Sequence, residues 1–189
     1  NSDGVADSQR KVFTGFGRER LNVQGIFNSL RWGLDNHVYG ANGDSGGNIR
    51  SIATGTVVDI SGRDFRLLPD TGGLDPQSGQ TQFGRSRDDW GNWFGGNNSN
   101  PLWHFVLGDH YLRRNPHVAA HTARVAVPEQ AGKSRVYPRM PVPERFNTPS
   151  DASRLTSACS FAVYRDTLLG PAFSGDLFFC EPSHGLVHR

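Results

Sequence analysis

Between Arg113 and Arg154 the chain carries eight basic side chains (Arg113, Arg114, Arg124, Lys133, Arg135, Arg139, Arg145, Arg154) against three acids (Glu129, Glu144, Asp151). Such an excess of positive charge can draw an anionic cofactor or substrate to one place on a surface. A solvated loop whose charge serves solubility accounts for the same residues. Six of the eleven prolines fall in this stretch. Pro138, Pro141 and Pro143 exclude a helix or a strand interior, because proline lacks the backbone donor. The stretch is therefore expected to be a long irregular insertion, a kind of loop that commonly carries function.

Two cysteines, Cys159 and Cys180, lie in the strand-like runs "SACSFAVYR" and "GDLFFCEP", with the turn-forming "LLGPAFSG" between them. A hairpin would put the two sulfurs on facing strands. A disulfide then becomes geometrically accessible, with an exported, periplasmic-type compartment as its corollary; two buried free thiols are the alternative. If the pair faces across a hairpin, the two Cα atoms should lie within about 7 Å. The chain has no Cys-x-x-Cys-His haem motif and no zinc-type spacing.

The elements that must position these groups follow from composition. With 23 glycines and 11 prolines in 189 residues and a mean hydropathy of -0.53, long helices are disfavoured and short strands joined by turns are expected. The fold class is all-β. Three segments resemble one another: "NHVYGAN" (36–42), "GNWFGGN" (91–97) and "GDLFFCE" (175–181). Their aromatics Tyr39, Phe94 and Phe178 stand 55 and 84 residues apart. This spacing suits four-stranded units of roughly 40 to 50 residues plus insertions, as in a β-propeller. A strand candidate precedes each segment, and the inner strands are expected to begin near Asn22, Gln80 and Ser157 and to line one axial end. "IRSIATGTVVDI" and "GRDFRLLPDTGGLDPQSG" read as outer strands, and Trp90, Trp93 and Phe94 as packing between blades. The chain thus reads as one partial propeller of about three blades over 1–189, with 113–154 inserted between blades. A ring needs about four blades or more, so the remainder is expected in further sequence or in partner chains.

Other classes recede. A formal charge of +2 is too mild and too dispersed to point to nucleic acid. No run of about 18 apolar residues is present to span a bilayer. The chain has no charged-then-apolar leader, and it is expected to be an internal slice of a longer protein.

"VFTGFGRERLNVQGIFNSLRWGLDNHVYGANGDSGG", "QSGQTQFGRSRDDWGNWFGGNNSNPLWH", "YLRRNP" and "FFCEPSHGLVHR" resemble the large membrane-bound dehydrogenase-like proteins of planctomycetes. The propeller of those proteins is similar to that of the soluble glucose and sorbosone dehydrogenases, and a c-type haem domain often follows. The resemblance covers nearly all of the chain. It implies a quinone-dependent sugar or alcohol dehydrogenase using pyrroloquinoline quinone (PQQ) and calcium, with a haem domain outside this chain as electron acceptor.

In those dehydrogenases an Arg-Asn-Pro-Gln-Gly stretch helps to hold PQQ. Here Leu21-Asn22-Val23-Gln24-Gly25 keeps Asn, Gln and Gly, and Arg114-Asn115-Pro116 keeps the first three residues. The resemblance therefore implies cofactor contacts at Asn22, Gln24, Arg114 and Asn115. Quinone-dependent oxidation needs a base for the hydroxyl proton. His104, which follows the second unit and is close in sequence to "RRNP", is the candidate. For calcium, Asn1, Asp3 and Asp7 alternate around Gly4 and Val5 much as in the centre of an EF-type loop, although an Asp-Gly turn explains the same residues. The competing reading is a non-catalytic propeller that binds carbohydrate or a protein. A lactonase-like propeller would need convergent carboxylates, for which only Asp88 and Asp89 stand together.

Overall fold

The computed structural model describes residues 4–17, 25–119, 122–130, 132, 134–141, 144 and 153–189. Its strands form four antiparallel sheets. The first contains β1 (Phe13–Phe16), β4 (Gly47–Ser51) and β5 (Val57–Asp59) in the order β1-β4-β5. The second contains β2 (Asn28–Trp32), β3 (Val38–Ala41), β6 (Asp64–Leu68) and β7 (Gly73–Gln77) in that order. The third runs β8 (Ser86–Arg87), β9 (Trp93–Gly95), β10 (Trp103–Phe105) and β11 (Arg124–Ala126). The fourth runs β12 (Cys159–Val163), β13 (Leu177–Glu181) and β14 (Leu186–His188). A single helical turn, α1 (Asp109–Leu112), separates β10 from β11. No helix among the described residues is long and apolar enough to cross a membrane.

The all-β expectation holds. The three related segments supply the second strands of the last three sheets: Tyr39 is in β3, Phe94 in β9 and Phe178 in β13. The first strands begin at Asn28, Ser86 and Cys159, later than expected. Asn22 lies outside the described residues. Gln80 sits in the loop before β8, and the Ser157 hydroxyl donates to Glu181. The "GRDFRLLPDTGGLDPQSG" run does form outer strands, β6 and β7. "IRSIATGTVVDI" instead contributes to the β4–β5 hairpin, which leaves the second sheet to pair with β1.

Two of the three contacts between adjacent sheets are apolar cores, and the third is built around a buried cation. Ile49, Ile60, Phe65 and Leu67 form an aliphatic and aromatic core, with Phe13, Phe16 and Val38 packed against it, between the first and second sheets. Leu102, Phe161 and Phe179 do the same between the third and fourth, joined by Val136 from the 113–154 insertion and by Leu155 just after it. Between the second and third sheets the contact is a buried cation among rings. Tyr39 stacks on Trp93 at 4.2 Å. The Arg85 guanidinium lies 5.0 Å from the Trp93 ring, 4.9 Å from Phe105 and 5.9 Å from Tyr39. Trp93 and Phe94 thus pack between sheets as expected. Trp90 does not: it is 82% exposed, on a turn that Asp88 closes by accepting the backbone N–H of Trp90 and Asn92.

β2, the segment just before β8 and β12 touch through residues of positive φ: Ser29 (φ 56), Gly84 (φ 93) and Ser160 (φ 56). The Gly84 N–H donates to the Ser29 hydroxyl at 2.9 Å, and a Cβ on Gly84 would collide with the Phe161 backbone nitrogen. Only glycine fits there, because the close neighbour is main chain and cannot turn aside. Gly84→Ala should therefore lose about 2 kcal/mol or more of unfolding free energy, measured by urea denaturation; an unchanged midpoint would contradict this packing.

Cys159 and Cys180 are direct cross-strand partners in the β12–β13 ladder. Opposed residues of an antiparallel pair have Cα atoms about 4.5 to 5.5 Å apart, inside the range a bridge requires. Both are free thiols in this structure. Burial pushes the Cys159 thiol above its ordinary pKa, which keeps it protonated and slow to react.

Candidate functional site

A polar crevice of about 250 Å³ opens between the second and third sheets. Arg63, Gln80, Asp109, Arg113 and Arg124 supply its charged and amide groups. Arg63 follows the tight turn at Ser61–Gly62, where Gly62 has a φ of 69°. Its place is fixed by Asn42, the last residue of the first repeated segment. The buried Asn42 amide donates to the carbonyls of Ile60 at 2.6 Å and Arg63 at 2.8 Å, and its oxygen accepts the Gly46 N–H. The repeat's terminal polar residue thus positions a site residue.

Asp109 opens α1 and is 6% exposed. Its carboxylate accepts Arg113 Nε, one helical turn on, at 3.1 Å to each oxygen and Arg63 Nη1 at 3.4 Å. Arg63 Nη2 donates to the Asp59 carbonyl. Among the described residues neither Nη group of Arg113 has a hydrogen-bond partner, and Arg124 forms no ion pair. The Arg124 guanidinium lies 4.1 Å over the Trp103 ring, a contact that orients it while leaving its in-plane donors available. Two guanidiniums therefore meet one carboxylate, and a third lines the same crevice. Asp109 fixes Arg63 and Arg113 without neutralising the set, and the remaining donors can grip an oxyanion in bidentate fashion.

The site residues expected from sequence divide into three groups. Asn22 and Gln24 lie outside the described residues. Arg114 and Asn115 are exposed beyond the end of α1, and the Asn115 side chain accepts the His117 N–H at 3.0 Å in a local turn. His104, in β10, stacks on Phe94 at 5.1 Å. Its strand neighbour Phe105 meets Arg85 and Gly79 on the crevice side, so alternation along the strand puts His104 on the opposite face of the sheet.

The structure does bring two basic residues of the insertion, Arg113 and Arg124, to Gln80, which was expected to lie at one axial end. Arg63 and Asp109 were not foreseen. Their only local signs are the Ser-Gly turn before Arg63 and the Gly-Asp step into α1. Asp88 and Asp89 serve structure, the first closing its turn and the second pairing with Arg165, which follows β12. No group of three metal-ligating side chains occurs among the described residues. Asn1 and Asp3 of the calcium-like stretch are outside them.

The whole chain, residues 1–189, matches a family described as a domain of unknown function, DUF7133, and belongs to it. No curated protein and no solved structure matches the chain.

Proposed function

We propose that this DUF7133 domain binds a small molecule bearing a carboxylate or phosphate group in the crevice between its second and third sheets. The observation that carries this reading is the convergence of Arg63 and Arg113 on a single buried acid, Asp109, with Arg124 lining the same crevice. A solvated basic loop gives no reason for guanidiniums from three separate segments to meet.

PQQ, which the resemblance to sugar dehydrogenases implies, carries several carboxylates, and the donor set fits them. When bound, such a cofactor supplies a two-electron acceptor. The chain's part would be to hold its acid groups through Arg113 and Arg124 and to keep both guanidiniums oriented by Asp109 and Trp103. Among the described residues the lining holds no histidine, and His104 faces away, so what those residues support is binding. The dehydrogenase reading, with a sugar or alcohol substrate, calcium and an external haem domain, therefore rests on the resemblance, and the same holds for an exported location.

Calorimetric titration of the domain with PQQ, gluconate and inorganic phosphate tests the proposal. At least one should bind at a single saturable site and weaken steeply with added salt, as charge-assisted contacts at a partly exposed site do. No saturable binding by any of the three, with the fold intact by circular dichroism, would sink it.

A further inference from the structure

A second polar crevice, of about 230 Å³, opens where the last residues of β2, β8 and β12 bring the second, third and fourth sheets together. The ladder register separates it from the first crevice. Asn28 pairs with Ala41, and Asp64 with Gln77, at the edge of the second sheet that Arg63 adjoins. Trp32, Val38 and Leu67 stand in line towards the opposite edge, and Trp32 lines the second crevice.

Three arginines line it: Arg31 in β2, Arg87 in β8 and Arg165 just past β12. Among the described residues no acid lines it. Arg87 is oriented by main-chain carbonyls, its Nε donating to Trp32 and its Nη1 to Asp88, each at 2.9 Å. These contacts place its charge without neutralising it. Arg31 is exposed, and its guanidinium has no partner among the described residues. Arg165 pairs with Asp89, which lies outside the lining. Two further acids near these hairpins are engaged elsewhere, Asp88 in its own turn and Asp35 with Arg66 and Tyr39. The buried Ser86 hydroxyl accepts the Val163 N–H at 3.2 Å and keeps its own proton to donate. Like charges gathered around a cleft focus a positive potential in it, which a bound anion relieves.

We propose that this second crevice binds a phosphate group, carried by a soluble phosphate ester or by the head of a phospholipid, with its oxygens shared among Arg31, Arg87 and Arg165. Guanidiniums arriving from three sheets suit a tetrahedral group with three acceptor oxygens better than a planar carboxylate with two. Contacts between arginine and phosphate are charge-assisted and often bidentate. The neighbouring wall is Trp32, 60% exposed, a ring with an apolar face for the organic part of either ligand.

Glycerol phosphate, the soluble counterpart of the phosphatidic acid head, is titrated into the ¹⁵N-labelled domain and followed by NMR. Saturating shifts are expected at the Arg31, Arg87 and Val163 amides. Arg31→Gln, at an exposed position whose side chain the fold does not engage, should weaken this binding about tenfold. Arg113→Gln, in the first crevice, should leave it unchanged. Phosphatidylcholine vesicles with and without phosphatidic acid separate the two sources. Sedimentation with the acidic vesicles alone, weakened by Arg31→Gln, assigns the lipid head; saturating shifts without sedimentation assign a soluble ester. The proposal is overturned if the three amides do not shift and the acidic vesicles do not carry the domain down, or if Arg31→Gln changes neither result. Equal sedimentation with both kinds of vesicle also overturns it, the contact then being the apolar face of Trp32 and not the arginines.

Discussion

Asp64→Ala should cost about 3 to 5 kcal/mol of unfolding free energy, because it strands a buried guanidinium without its counter-ion. Asp64 is fully buried and pairs with Arg85, itself 2% exposed. The same carboxylate accepts the backbone N–H of Asn42 at 3.0 Å and of Thr81 at 2.9 Å, and the Thr81 hydroxyl at 2.7 Å. Removing it leaves two main-chain donors and a cation unsatisfied at once. A domain of ordinary stability has only about 5 to 15 kcal/mol to lose, so the variant should be largely unfolded at modest urea concentration. Arg85→Met combined with Asp64→Leu should recover part of the loss, since a buried pair replaced by apolar groups is often nearly neutral. A loss below about 1 kcal/mol for Asp64→Ala would contradict the pairing on which the second and third sheets meet.

Glu181→Ala should be nearly as damaging, at about 3 kcal/mol or more. Glu181 closes the third repeated segment and is fully buried. It accepts the backbone N–H of Thr156 at 3.3 Å and of Ser157 at 3.1 Å, the Ser157 hydroxyl, and Nδ1 of the buried His184 at 2.9 Å. Because these partners sit just after the insertion and beyond β13, the loss should also free the chain around residues 153–158. Hydrogen exchange of the Thr156 and Ser157 amides would report this directly. Protection equal to that of the unsubstituted protein would contradict the role given to Glu181.

Much of the fold was legible because it rests on local pattern. The aromatic in each repeated segment marks a second strand, and the polar residue ending each segment, Asn42, Asn97 or Glu181, closes a turn or anchors a neighbouring segment. The opposition of Cys159 and Cys180 followed from one hairpin with a turn in its middle. What escaped was non-local. The β4–β5 hairpin has strand character like any outer strand, and nothing within it says that it pairs with β1 and not with β3. Arg85, next to a glycine in a polar run, has the look of a surface residue; burial among three rings depends on Tyr39 and Phe105, distant in the chain. The polar crevice was half visible for the same reason. The charge excess pointed to Arg113 and Arg124, whereas Arg63 and Asp109 join them only through the meeting of two sheets.

The central claim is that the crevice, and not the exposed end of the insertion, holds the anion. Two adjacent arginines separate these alternatives: Arg113, held by Asp109 in the crevice, and Arg114, exposed beyond it. Calorimetric titration of PQQ into Arg113→Gln and Arg114→Gln should show about a tenfold or greater loss of affinity for the first and little change for the second. Equal losses in both, or a loss confined to Arg114→Gln, would contradict the account and move the binding site to the Arg114-Asn115-Pro116 stretch.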